Sequence, residues 1–170
     1  MSARIGLRRA VVAFTLLSVL LAGVAAAVPG GQALVVEDAD TGERLLTVPV
    51  DEGATVALEY NHSVEKTRVL DVYEVRANGS LEMTRMEFES YGWGLPARAD
   101  VRKENGTFVF DPEGVYDEIY VTPGDVAGHR LHVGDRTYDL VERAGEESVR
   151  LTVVRRSALS AGLDGLIPRL

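Results

Sequence analysis

An all-β fold is what this sequence predicts: an antiparallel sandwich or partly closed barrel, finished by a short C-terminal helix. Three observations lead there. Nearly everything after Gly31 consists of short runs that alternate apolar and polar and are rich in Val, Thr, Tyr and Phe. Gly-containing turns separate the runs, among them Asn78-Gly79 and Asn105-Gly106, pairs that tolerate positive φ and mark tight hairpins. About ten such runs at this spacing suit a sandwich or barrel, and 46% of the 170 residues are apolar, enough for one real core.

The elements follow in order. The chain opens with a targeting segment, residues 1–27. Arg4, Arg8 and Arg9 supply positive charge, no acid precedes Glu37, and Ala10 to Val28 runs without a charge. Ala25, Ala26 and Ala27 offer a small-residue cleavage site, so the segment reads as a signal peptide. The same run is about long enough to span a bilayer uncleaved, so it also reads as an anchor. Either way residues 28–170 are expected outside the cytoplasm as one β domain, touching the membrane only through the N-terminal segment. "ALVVED" and "RLLTVPV" flank "ADTG", a hairpin turn. In "ATVALEYNHS", Val56, Leu58, Tyr60 and His62 share one face. "TRVLDVYEVRA" and "LEMTRMEFES" are two long strands joined at Asn78-Gly79. "YGWGLPARAD" is a loop, and "ADVRKENGTFVFD" a second hairpin. "DEIYVTP", "HRLHV", "RTYDLVE" and "SVRLTVVRR" are further strands. Only the tail, Ser157 to Leu170, has helical spacing, with Leu159, Leu163, Leu166 and Ile167 on one face.

Composition excludes several functions. Without the three N-terminal arginines, 15 basic side chains remain against 26 acidic ones, a net charge of −11. Such a surface repels nucleic acid and anionic headgroups. Acid excess with only 2 Lys among 18 basic residues matches a high-salt organism, where screening makes self-repulsion tolerable; an arginine-rich codon usage gives the same bias. The absence of cysteine removes thiolate metal sites, cysteine nucleophiles and disulfides. No cofactor or metal is expected.

The chemistry-bearing stretch is "YNHSVEKTRVLDVYEV", Tyr60–Val75. His62, Ser63 and Glu65 crowd within four positions, which invites a hydrolase reading. On a strand, however, His62 and Ser63 point to opposite faces, and no G-x-S-x-G elbow is present. The plain alternative is a half-buried His62 closing its strand, with Ser63 starting a turn and Glu65 solvated in it. Ser63, Tyr73, Glu74 and the 92–96 backbone are candidate partners for its imidazole. His129 and His132, three apart on a strand, fall on opposite faces and make a poor zinc pair. Trp93, between Gly92 and Gly94, is either a ligand contact or a plug on the end of the fold. Asn61, Asn78 and Asn105 each begin a glycosylation sequon, with Asn61, inside a strand, expected to be the least accessible.

The segments around His62 and Trp93 together resemble a prokaryotic family, domain of unknown function 1850. The resemblance rests on Tyr60, His62, Ser63, Val64, Glu65, Tyr73, Glu74, Gly92, Gly94, Leu95 and Pro96, and covers about a quarter of the chain. Members of that family are small, often exported, and frequently encoded beside the fused membrane subunit of TAXI-type tripartite ATP-independent transporters. The resemblance implies an accessory role in such a transport system, with a transporter membrane subunit, a solute receptor or a small-molecule solute as partner, and supplies no catalytic residues. It also implies that His62, Ser63, Glu65, Tyr73, Glu74, Gly92, Trp93, Gly94, Leu95 and Pro96 form one binding patch. The rival readings are a secreted hydrolase using His62 with Glu65 or Glu74, and a glycosylated envelope protein with a structural role.

Overall fold

The computed structural model describes residues 2–92, 95 and 100–164. The chain divides into two compact units, Gln32–Val154 on one hand and Met1–Gly31 with Arg155–Leu170 on the other. Its strands are β1 (Pro29–Asp38), β2 (Arg44–Val50), β3 (Thr55–Asn61), β4 (Arg68–Val75), β5 (Leu81–Phe88), β6 (Arg102–Glu104), β7 (Thr107–Phe110), β8 (Gly114–Tyr116), β9 (Glu118–Val121), β10 (Arg130–Val133), β11 (Arg136–Asp139) and β12 (Val149–Ser157). Three helices, α1 (Ser2–Ala27), α2 (Leu140–Ala144) and α3 (Ala158–Asp164), complete the described elements.

The strands form two antiparallel sheets that face each other as in a sandwich and do not close into a barrel. One sheet runs β2-β1-β12-β9; the other runs β11-β10-β3-β4-β5-β7-β6, with β8 beside β5. Alternation decides what lies between them. Leu34, Val36, Val48 and Val50 from the first sheet meet Val56, Leu58, Tyr73, Val75, Leu131 and Val133 from the second in one core. Pro49 can supply no ladder N–H, and it sits on β2, an edge strand, where none is needed on the outer side.

The hairpin turns stand where the Asn-Gly pairs put them. Gly79 (φ 91°) turns β4 into β5, while Asn78 Oδ1 accepts from the Ser80 N–H at 3.0 Å and from its hydroxyl at 2.8 Å. Asn105 (φ 50°) and Gly106 (φ 95°) turn β6 into β7. "DADTGE" is a plain turn: Asp38 Oδ1 accepts from the backbone of Asp40 and Thr41 and from the Thr41 hydroxyl.

Some expectations are corrected. "RTYDLVE" is not one strand: β11 ends at Asp139, whose carboxylate accepts the Glu142 N–H at 3.0 Å and starts α2, so a helix N-cap overrides the strand pattern. β8 lies upstream of the expected "DEIYVTP" strand, pairing Gly114–Tyr116 with Leu81–Met83. Asn61, though the last residue of β3, is exposed like Asn78 and Asn105, because the strand ends there. A bulge stands in β5: Val72 faces Arg85 and Tyr73 faces Met83, leaving Thr84 unpaired. It shifts the inward phase by one, so Met83 and Met86 turn to the same side.

In the smaller unit, the Ala158 N–H donates to the Val28 carbonyl at 2.8 Å, and a Cβ on Gly30 would collide with the Ser157 carbonyl oxygen. Ser157 and Ser160 cap the start of α3 reciprocally, each hydroxyl accepting the other's N–H at 3.1–3.2 Å. The rest of the expected tail helix, residues 165–170 with Leu166 and Ile167, lies outside the described residues, as do the side chains of Leu159 and Leu163. Along α1 the described side chains are Val12–Val24, and all are exposed, apolar residues occupying its whole circumference. Among the described residues no helix is long and apolar enough to cross a membrane.

Candidate functional site

β3 ends at Asn61, and the chain reverses through His62–Thr67 into β4. The His62 N–H donates to the Thr67 carbonyl at 2.8 Å, and the Lys66 N–H donates to the His62 carbonyl at 2.9 Å, with Lys66 in the left-handed region (φ 57°). His62 shares the inward phase of Val56, Leu58 and Tyr60, so its ring is folded in and only 8% exposed. There Nδ1 accepts from the N–H groups of both Val64 and Glu65, each at 3.3 Å. The imidazole thus does for this turn what an asparagine side chain does in an Asx turn. An accepting Nδ1 leaves the proton of the neutral ring on Nε2.

Gly92 lies directly on this ring. A Cβ built there would come 2.7 Å from His62 Cε1, 2.8 Å from Nε2 and 3.0 Å from Glu65 Cγ. The approach is possible only because residue 92 has no side chain. The fold therefore brings together His62, Glu65 and the start of the glycine loop, thirty positions along the chain. The Leu95 N–H donates back to the Gly92 carbonyl at 3.2 Å. Ser63 and Glu65 are exposed at the rim. Trp93, Gly94 and Pro96 lie outside the described residues. A recess of about 340 Å³ opens here, bounded by Tyr60, His62, Ser63, Leu95, Ala127 and His129.

Tyr73 and Glu74 stand elsewhere. Asn61 pairs with Arg68 beside the turn, whereas Thr55 pairs with Glu74 at the far end of the ladder, about 20 Å along the strand at 3.3–3.4 Å per residue. Glu74 points to the outer face and holds Arg76 at 2.9 Å. Tyr73 points inward, 6% exposed, with its ring edge-on to Tyr116. The partners of His62 Nδ1 are the backbone groups of its own turn.

A second cavity, of about 270 Å³, lies between the sheets and involves residues that the sequence motif did not single out. Leu58, Tyr60, Asp71 and Tyr73 line it from one sheet, Ile119, Tyr120 and Val121 from the other, and Thr122 and His129 from the ends of the segment between β9 and β10. Tyr60 and His129 stack at 5.2 Å with 19° between their planes, and this pair borders both cavities. Asp71 shares the inward phase of Val69, Tyr73 and Val75. Its Oδ1 is buried and has no hydrogen-bond partner, and the same holds for His129 Nδ1. Burial pushes the Asp71 carboxyl up to about 6, against a weaker downward pull from the Tyr60 hydroxyl. Burial, and then the charge of Asp71, pushes both Tyr60 and Tyr73 well above the ordinary tyrosine range. Burial pulls His129 down. The available signal for Asp71 was its phase: an acid in register with three apolar inward residues. His129 carried none beyond its residue type.

The outer face of the larger sheet behaves differently. Arg130, Glu59, Arg68, Glu87, Arg85, Glu104, Arg102 and Asp111 form a chain of ion pairs 2.7–3.6 Å long. His132 lies beside it, bonded to Thr137 at 2.9 Å and 3.8 Å from Glu59. A recess of about 440 Å³ near Asp100, Phe110 and Glu113 belongs to this solvated, already paired surface. Among the described residues no three His, Asp or Glu side chains stand where they could hold a metal ion.

Comparison with known proteins adds one finding. The family described as Domain of unknown function (DUF1850) matches residues 56–140, half of the chain. Neither the curated proteins nor the solved structures contain a match. The matched span runs from β3 to the first residue of α2 and includes every residue named around both cavities. The chain belongs to the DUF1850 family, and the segment that places it there is the one that builds the His62 turn and both cavities.

Proposed function

We propose that this protein is a non-enzymatic, extracytoplasmic accessory component of a TAXI-type tripartite transport system, acting by binding a transporter membrane subunit, a solute receptor or the solute itself. The observation that carries the reading is the seating of Gly92 on His62 and Glu65, which makes two separated motifs into one recess. The absence of chemistry in this reading is supported by His62 Nδ1, which is engaged by two backbone N–H groups that hold the turn. The extracytoplasmic location is supported by the charge-free run from Ala10 to Val28 behind three arginines. The membrane is met through that segment alone, and a surface of net charge −11 beyond it disfavours nucleic acid.

The test is solute uptake in cells lacking the gene, complemented by the unaltered chain or by His62→Ala, Glu65→Gln or Trp93→Ala, with thermal unfolding of each variant measured in parallel. Loss of uptake with the fold retained supports the reading. Stable variants with unchanged uptake remove the patch, and turnover of a substrate abolished by one of them would make the protein a hydrolase. A second reading, an envelope glycoprotein of structural role, draws on the exposure of Asn61, Asn78 and Asn105. Glycan mass on peptides carrying those residues, with uptake unaffected by deletion, would favour it.

A further inference from the structure

The cavity between the sheets holds two buried polar atoms with nothing to bond: Asp71 Oδ1 and His129 Nδ1. A buried carboxylate oxygen without a partner is costly, and natural proteins leave few of them. The Tyr60 hydroxyl is the one side-chain group that acts on Asp71 against its burial, and no lysine or arginine lines the cavity among the described residues. The walls beside the carboxylate are the rings of Tyr60 and Tyr73, with Leu58 and Val121 completing the apolar part. Tyr60, Asp71 and Tyr73 all project from one sheet face, and β9 closes the cavity from an edge of the opposite sheet. At about 270 Å³ the space exceeds a single water several-fold and suits a small organic molecule.

We propose that this inter-sheet cavity is a binding site for a small organic ammonium ion, its N–H groups donating to the Asp71 carboxylate and to the bare His129 ring nitrogen while the Tyr60 and Tyr73 rings flank the cation. A carboxylate accepts only, and aromatic faces attract cations, so the lining selects positive charge and rejects anions. The ligand supplies the counter-charge and the donors that the protein leaves out. This inference stands on the inner cavity and does not require the transport role, so purified protein tests it without a transporter.

The experiment is calorimetric titration of the full chain in detergent with n-butylamine and benzylamine, against the matched alcohols and carboxylates, at pH 8 and pH 5. Amine binding at pH 8, at least tenfold tighter than the matched alcohol and absent for the carboxylate, is expected. At pH 5 the amine should bind about tenfold more weakly, since a carboxyl titrating near 6 is then mostly protonated. The other groups facing Asp71 do not oppose this. Tyr60 and Tyr73 titrate far above the range, the Tyr120 hydroxyl is turned to Glu118 at 3.2 Å, and protonation of His129 would also repel an ammonium. Asp71→Asn should abolish the preference for amine over alcohol. Equal binding of amine and alcohol, no amine binding at millimolar concentration, or a preference that survives in Asp71→Asn would each overturn the proposal. The pH series on the unaltered chain decides even if that variant does not fold.

Discussion

Replacing Asp71 by asparagine should stabilise the protein at neutral pH, against the general trend for buried substitutions. In the folded state burial raises the Asp71 carboxyl from 3.8 to about 6. A raised carboxyl binds its proton more tightly when folded than when unfolded. Below pH 3.8 the group is protonated in both states and costs nothing. Between 3.8 and about 6 the unfolded chain has released its proton while the folded protein still holds it, so stability falls across that window, and once the buried carboxyl has also ionised, without a counter-charge, the loss is complete. The rise from 3.8 to about 6, at about 1.4 kcal/mol per tenfold change in acidity, is a penalty of about 3 kcal/mol, complete above about pH 7. Asparagine keeps the size and removes the charge, and its amide can donate or accept. The variant should therefore exceed the unaltered chain by up to about 3 kcal/mol at pH 8, and the gap should close towards pH 4. Urea unfolding of both chains across pH 4–8 measures this, because contributions of all other carboxylates cancel in the difference. A variant less stable than the unaltered chain at pH 8, by an amount independent of pH, would refute the reasoning and mean that Asp71 is compensated in the fold.

Other predictions concern the turn, the loop and the N-terminal segment. Gly92→Ala would press a methyl against a buried ring at 2.7 Å and should cost about 1–3 kcal/mol by overpacking, read as a lowered Tm; a neutral result would separate Gly92 from His62. His62→Ala leaves two turn N–H groups without their acceptor and should cost about 1–3 kcal/mol, whereas His62→Asn, whose Oδ1 can accept in the same way, should recover part of it. Identical losses in both variants would sink the capping role. N-terminal sequencing of protein from the cell envelope should find a start near Val28 or an intact, membrane-extracted Met1 chain; full-length protein in the cytosol would contradict export.

What could be read from the sequence was whatever depends on near neighbours. Strand alternation is a property of consecutive residues, and an Asn-Gly turn closes over four positions, so the β3–β4–β5 run and the turns at Asn78-Gly79 and Asn105-Gly106 were legible. The start of α2 was equally local, an Asp139 cap with Glu142 three residues on, but it lay inside a run that alternates like a strand. The bulge was also written in the chain: Leu81, Met83, Met86 and Phe88 change from spacing two to three and back. Alternation likewise put His62 and Asp71 on the inward face. It could not say what each would meet there. That depends on which strand of the opposite sheet passes overhead, on β12 entering between β1 and β9, and on where the loop after Tyr91 comes to rest. These are contacts between residues tens of positions apart, fixed by sheet register and by close packing rather than by any local preference. So the tertiary structure alone decided that Gly92 seats on His62, that Glu74 stands about 20 Å along its strand from the turn, and that Asp71 faces a cavity with Tyr60 and His129 instead of a cation.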